Sequence, residues 1–356
     1  MNLTLRSKAE HEALSMSRTK AQANVLRAMR VSLEKVLSAP IKPEIEKFDL
    51  FANYLTVSHE YFNWNGVQGD LFNMWLEFFL VSRPFSINFP ATSRQKYIEF
   101  ASKNLQDVCE ANKVPLLLEV GSIYWFLGEN VKAIEIYESL LARPGTLLSE
   151  DLATVYTGLG LAYKDLGHYK LAIGSLTRAI ELISERKSKA VALTILGRCH
   201  HYLRQPNLAL LSFREAIKHA YAAKDRRGQA DTLNNLAMTY FKIGARVKAM
   251  RLLEKAYNLS VEVNDYRGQA NNANNRTLIH LAHRDYKNAL TWAEEALRLS
   301  VGVYYIKGQY TSHLLIARIA FHQFKLAKAV HHFILALTTV KHTDGQWRLL
   351  GLAFSR

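Results

Sequence analysis

One short order of residues recurs down the chain at a nearly constant interval, and it leaves few folds open. Its clearest copy is GQADTLNNLAMTYFKIGARVKAMRLLEKA, from Gly228 to Ala256. Leu233, Leu236, Ala237, Tyr240 and Phe241 fall on one face at helical spacing. Gly244 interrupts the pattern, and Ala249, Leu252, Leu253 and Ala256 restart it on a second helix. The small residues Ala237, Ala249 and Ala256 let the two helices approach closely, and Tyr240 and Leu253 fill the space that remains. One such hairpin cannot bury its apolar stripe alone. It needs a copy on either side.

The chain supplies the copies. Residues equivalent to Ala237 are Gly121, Gly160, Gly197, Thr277 and Ala317, and the steps from Gly121 to Ala317 are 39, 37, 40, 40 and 40 residues. Each is followed by a turn position and then by a second run, as in Tyr169, Ala172, Leu176 and Ala179, or Ala289, Ala293 and Ala296. This order at this period is the signature of a solenoid of helical hairpins. A second recurrence keeps the same phase. Gly228-Gln229, Gly268-Gln269, Gly308-Gln309 and Gly345-Gln346 open successive first helices. Asp225, Asp265 and Asp344 stand just ahead of three of them, placed to cap helix N-termini. Pro206 sits in the first turn of a second helix, where its missing N–H costs nothing. The last copy, Gly345 to Arg356, has room for one helix: a closing helix, or the start of a hairpin cut short.

These residues resemble the tetratricopeptide repeat. GLGLAYKDLGHYKLAIGSLTRAIEL, Gly158 to Leu182, matches that motif almost throughout, and the resemblance runs over about residues 116 to 340. The period near 40 residues and the wording ADTLNNLAMTY are similar to the longer-helix repeats of kinesin light chains and related cargo adaptors. Asn130 stands where the motif usually has an aromatic, and Arg204 where it usually has glycine. The resemblance implies an all-α fold, a right-handed superhelical solenoid of antiparallel helix pairs. Six hairpins and the closing or truncated helix would occupy residues 113–356.

Residues 1–112 form a separate N-terminal helical segment that matches no family. Residues 5 to 38 read as basic amphipathic helices ended by Pro40 and Pro43. From Glu44 to Val81 the composition turns aromatic, as a compact helical cap or as a docking surface. Arg83 to Pro90 reads as an irregular linker, and a helix follows from about Ser93. The most apolar run, Leu71 to Val81, carries Glu77 and is too short for a bilayer, which needs about 20 residues. Cys109 and Cys199 are the only cysteines, so no disulfide framework or thiolate metal site is expected, which fits a reducing, cytoplasmic setting.

The family's first helices line a concave groove. That places Asn234 and Asn235 there from the fourth unit, beside Asp231, Met238 and Phe241. It places Asn271, Asn274 and Asn275 there from the fifth, and Lys164, Arg198, His201 and Arg318 from others. Asn is a mediocre helix former, so its pairing inside two helices works against local stability. A side-chain amide carries a donor and an acceptor, which suits it to hold the backbone of an extended peptide. In kinesin-light-chain-like repeats, Asn at the positions of Asn235 and Asn275 does so. The other reading is that these amides cap turns or bond neighbouring helices.

Catalysis finds little support. His200-His201 and His331-His332 are adjacent pairs whose side chains diverge by about 100°, poor geometry for one metal. His200 and His280 fall at inward aromatic positions and read as packed core histidines. No phosphate loop or hydrolase motif occurs, and no cofactor is expected. The sequence therefore points to a non-enzymatic interaction scaffold or adaptor. Arg198, Lys164 and Arg318 would select an acidic or disordered peptide, or a partner helix. The formal net charge of +15 keeps a second class open, a helical-repeat protein on nucleic acid or another anionic surface. A third is a peptide-responsive regulator with its output in residues 1–110.

Overall fold

The computed structural model describes residues 110–142, 147–303 and 305–341. The expectations for residues 5 to 38, 44 to 81 and 83 to 90, the cap at Asp344 and the segment from Gly345 lie outside the described residues. Twelve helices follow one another with no strand among the described residues. They are α1 Glu110–Leu127, α2 Asn130–Leu141, α3 Ser149–Asp165, α4 Tyr169–Leu182, α5 Arg186–Tyr202 and α6 Pro206–Ala222. Then come α7 Arg226–Lys242, α8 Arg246–Glu262, α9 Tyr266–Ala282, α10 Tyr286–Gly302, α11 Ile306–His322 and α12 Leu326–Lys341. All but Glu110 belong to one compact unit, Ala111–Arg356.

Odd and even helices pair into hairpins, and each hairpin packs on the next. The odd helices also touch one another in sequence: α3 meets α5, α5 meets α7, α7 meets α9 and α9 meets α11. They form a continuous inner layer, with the even helices outside it. The small positions explain the close approach. A Cβ built on Gly197 would stand 2.7 Å from the Phe213 ring, and one on Gly160 would stand 2.6 Å from Leu176. The Tyr137 ring is wedged between Gly121 of its own hairpin and Gly158 of the next, and it is fully buried. Ala133, Ala172, Ala209, Ala249 and Ala289, at matching places on the even helices, all have 0% exposure.

All six hairpin turns use one geometry. Gly128, Gly167 and Gly244 adopt positive φ, and so do Arg204, Arg284 and Phe324 at 57°, 59° and 58°. In each turn the N–H of the residue that follows the left-handed one returns to a carbonyl five residues back, as in Gln205 N–H to His200 O at 2.9 Å and Lys325 N–H to Ala320 O at 2.9 Å. The bond pattern forces a left-handed residue at that place, whatever its side chain. Asn130 and Arg204 depart from the repeat motif in sequence while the hairpin stays the same.

The Gly-Gln recurrence is a splice between hairpins. The amide N–H groups of Gln229, Gln269 and Gln309 donate to Ala220 O, Ser260 O and Ser300 O at 3.3, 3.2 and 3.2 Å. Each therefore ties a first helix to the C-terminal turn of the preceding second helix. A Cβ on the neighbouring Gly228, Gly268 or Gly308 would collide with the residue ahead of the helix or with a serine of that turn. Asp225 caps α7 by accepting from Gly228 N–H at 3.0 Å. Asp265 does not cap α9 with its side chain; its carboxylate takes the Arg227 guanidinium at 3.2 Å instead. Pro206 sits at the start of α6 as its chemistry requires.

The two histidines at inward aromatic positions are not sealed in the core. His200 Nδ1 lies 2.8 Å from Gln205 Oε1, and His280 Nδ1 lies 2.9 Å from Asp285 Oδ2. Each half-buried ring reaches the residue five places on, at the start of the next helix, so a polar edge is kept at the turn where a phenyl ring would find no partner.

Candidate functional site

The inner layer gathers charged and polar side chains from hairpins that are far apart in sequence. At the end of α3, Lys164 Nζ bonds Asp165 Oδ1 at 2.6 Å, and the Trp125 indole N–H donates to Asp165 Oδ2 at 2.7 Å. Lys164 has a side chain only 4% exposed. Burial pushes its amine below the usual lysine range and the Arg198 guanidinium adds to this, while Asp165 opposes it. Burial alone would raise the Asp165 carboxyl; the Lys164 ammonium, aided by Lys307, overrides it and holds the group low.

Arg198 projects from α5 at the centre. Burial works against its charge, but Tyr202, Asp231 and Asp165 more than compensate and keep it ionised. Asp231, on α7, is exposed, but the protein crowded around its carboxyl displaces water and raises it, with Arg198 opposing. The two flank a cleft of about 60 Å³ between α5 and α7, bounded below by Thr194, Ile195 and Thr232. From the far end of the coil come Tyr305 and Lys307, at the start of α11. The Tyr305 hydroxyl donates to Asn271 Oδ1 at 3.1 Å, and the Arg267 guanidinium lies over its ring at 5.3 Å. The Lys307 ammonium is reached by solvent but ringed by protein. Loss of surrounding water pushes it down to about 8, Arg198 and Lys164 push further, and Asp165 opposes them. Groups on α3, α5, α7 and α11 thus lie near enough to influence one another's charge.

The asparagines divide into two sets. Asn235 and Asn271 face the trough. Asn235 Nδ2 donates to Asp231 O at 2.8 Å and to Asp231 Oδ1 at 3.2 Å, which leaves its carbonyl oxygen presented. Asn271 is the converse: Tyr305 occupies its oxygen, and its amide N–H₂ is presented. Asn275 is half-buried, without a side-chain hydrogen bond among the described residues. Asn234 and Asn274 are placed differently from the groove positions that the family pattern implied. They are 8% and 4% exposed and lie between successive inner helices. Asn234 Oδ1 accepts from Asn272 Nδ2 at 3.3 Å, and Asn274 Oδ1 accepts from Ser312 Oγ at 3.0 Å. With the Thr194–Thr232 hydroxyl pair at 2.8 Å, they form a buried polar seam in which each pair bridges 38 residues and the pairs recur every 40.

Lys164 and Arg198 belong to the charged cluster, while Arg318 is exposed and takes no part in it. Lys307, Arg267 and Tyr305 were missed because they precede or open helices in places where the repeat motif carries no signal. Among the described residues no group of three or more His, Cys, Asp or Glu converges as a metal site. No helix among them is long and apolar enough to cross a membrane.

Tetratricopeptide-repeat family models match residues 153–186 and 229–266. No curated protein matches the chain. Among solved structures, a Rap protein complexed with competence and sporulation factor superposes with a TM-score of 0.61 at 14% identity, over 77% of each chain. The apo form of RapI gives 0.56 at 14% identity, over 70% of this chain and 91% of that one. A signal-transduction ATPase with a tetratricopeptide-repeat sensor, from Pyrococcus horikoshii, gives 0.54 at 16% identity, over 88% of this chain and 52% of the ATPase. At such identities the likeness is one of fold. The two matched stretches are the second and fourth of six hairpins that share one turn geometry and one set of small contact residues, and in these stretches the chain carries the tetratricopeptide repeat.

Proposed function

We propose that the chain is a non-enzymatic scaffold or adaptor that receives an extended peptide, or a partner helix, in its trough. The observation that carries this is the convergence of Asp165, Arg198, Asp231 and Lys307, from four different hairpins, on one concave space. Such an arrangement has no structural need to be polar, since desolvating these groups costs stability. Asn235 presents an acceptor and Asn271 a donor, the complement of a peptide group's N–H and C=O. The likeness to a Rap protein solved with a bound factor supports a trough of this kind. The buried free thiol of Cys199 suits a reducing compartment such as the cytoplasm. Residues 1–112 are taken as a separate segment that the solenoid carries.

Replacing Asn235 and Asn275 together by alanine weakens binding of a library-selected peptide by about 1–3 kcal/mol and leaves the helical circular dichroism intact. Isothermal titration reads the effect, and unchanged affinity refutes the trough assignment.

A further inference from the structure

We infer that the outer layer carries a second recognition site, a pocket built by Arg246, Arg251 and Arg276 for the phosphate monoester on a phosphorylated side chain of a partner protein. It lies outside the trough and does not rest on the reading of the trough given above. An open recess of about 470 Å³ is lined by Arg246, Val247, Met250, Arg251 and Glu254 of α8 and by Arg276 of α9. Arg276 belongs to an inner helix, but its side chain reaches outward between two outer helices. The guanidinium lies 4.4 Å from the centre of the Trp292 ring of α10 and 5.4 Å from that of Tyr257 of α8, and the two rings meet edge to face. Its Nε donates to Asn272 Oδ1 at 3.0 Å. Asn272 is 1% exposed and is itself fixed, its amide donating to Leu253 O at 2.8 Å. These contacts hold the guanidinium in one orientation and leave its two terminal nitrogens without a hydrogen-bond partner among the described residues.

The chemistry of the recess selects this ligand. Burial presses the Arg276 guanidinium below the ordinary arginine range, with Glu254 and Tyr257 opposing. Packing alone does not call for a charge held at that cost, since an uncharged side chain of similar length would fill the same space. None of the three arginines has a carboxylate at ion-pair distance among the described residues. Neighbouring charges are committed elsewhere: Lys248 lies over the Tyr240 ring at 4.1 Å, and Arg298 is paired with Glu295 at 2.7 Å. Three guanidinium groups against the one carboxylate of Glu254 leave two positive charges in the recess. That is the complement of a phosphate monoester, and more than a carboxylate or a phosphodiester needs. Guanidinium forks also match phosphoryl oxygens in pairs. Val247 and Met250 supply an apolar wall against which the carbon stem of the ester rests. Glu254 works against a run of phosphates, so one isolated group fits this face better than a nucleic acid strand.

The test uses the full chain in fluorescence anisotropy titrations at low salt. The probes are labelled pentapeptides, capped at both ends, with a central phosphoserine, phosphotyrosine, glutamate or serine between glycines. At least one phosphorylated peptide binds about tenfold more tightly than both the glutamate and the serine peptide, the size expected of one further charge-assisted pair. Which of the two does so identifies the side chain. Arg251→Met and Arg276→Met each remove most of that preference. Arg251 is exposed, so its variant reports on the site without disturbing the packing around Trp292. Glu254→Gln acts in the opposite direction. It tightens the phosphorylated peptide about threefold by removing a repulsion, which a variant that merely loosened the fold would not do. Equal affinity for phosphorylated and glutamate peptides, absence of binding, a preference that survives both arginine substitutions, or no tightening in Glu254→Gln overturns the pocket. Tighter binding of oligothymidylate through the same arginines assigns the face to nucleic acid, and inorganic phosphate that binds as tightly as the phosphopeptide assigns it to the free ion. Either result overturns a phosphorylated protein partner. The Asn235→Ala/Asn275→Ala variant, altered in the trough alone, binds the phosphorylated peptide unchanged; a loss there places the phosphate in the trough and overturns the outer site.

Discussion

Arg204, Arg284 and Phe324 sit in left-handed backbone that glycine fills in the other three turns. A side chain there costs about 1 kcal/mol, because Cβ crowds the following carbonyl. Arg204→Gly therefore raises stability by up to about 1 kcal/mol, read as a higher urea midpoint; a lower midpoint would show that the arginine stem contributes more than the strain removes. His201 and His313 argue in the other direction. Burial holds each ring at about 4, with Lys242 adding to it at His201 and His332 at His313. Their folded values lie below the ordinary one, so between about 6.5 and 4 the unfolded chain binds more protons and stability falls as pH falls. The melting temperature drops from pH 7 to pH 5, and less so in His201→Gln, where Thr239 keeps a hydrogen-bonding neighbour. At this scale the sequence was only partly legible. Asn234 and Asn235 are neighbours with the same chemistry, yet one is sealed in an inter-helix seam and the other faces the trough. A turn of about 100° about the helix axis separates the two environments, and a motif read as letters does not resolve it.

The helices and their pairing were readable in advance, because small residues at fixed intervals leave one way to pack. Gly197 and Gly174 show how sharply the reason differs between two helical glycines. Gly197 faces Phe213, whereas a Cβ on Gly174 meets nothing within 4 Å. Gly197→Leu forces its side chain into a full core and lowers stability by about 1–3 kcal/mol. Gly174→Ala removes backbone freedom at no steric cost and raises stability by about 0.5–1 kcal/mol. Chemical denaturation of both variants checks the opposite signs, and a shift in the same direction would overturn the packing argument. The capping role foreseen for Asp265 failed at this scale too. Arg227, on the neighbouring inner helix, offers the carboxylate a full charge, and that outweighs a bond to its own helix.

Over the array of described helices, the solenoid was legible from its period, but the approach of Lys307, at the start of α11, to Asp165 at the end of α3 was not. That approach depends on small rotations accumulated over five hairpins. Sequence spacing fixes each step and says nothing of where the coil returns. The predicted consequence is a pH dependence that belongs to no single hairpin. Lys307 loses its charge as pH rises through about 8, under the opposed influence of Arg198 and Lys164 on one side and Asp165 on the other. Affinity for an acidic peptide in the trough therefore declines between pH 7 and pH 9.5, while that for a neutral peptide stays level. In Lys307→Met the decline is absent, and a decline that persists there assigns the titration elsewhere.

The splice made by Gln229, Gln269 and Gln309 is the same at the last three joints, so such a joint does not know how many units the array contains. A chain shortened or lengthened by one whole unit of this kind keeps its spliced joints intact. It would nonetheless bring a different part of the last turn opposite Arg198. Unit number thus works as a gauge that sets which ends of the coil come into phase, and selection can hold it constant without any gain in stability.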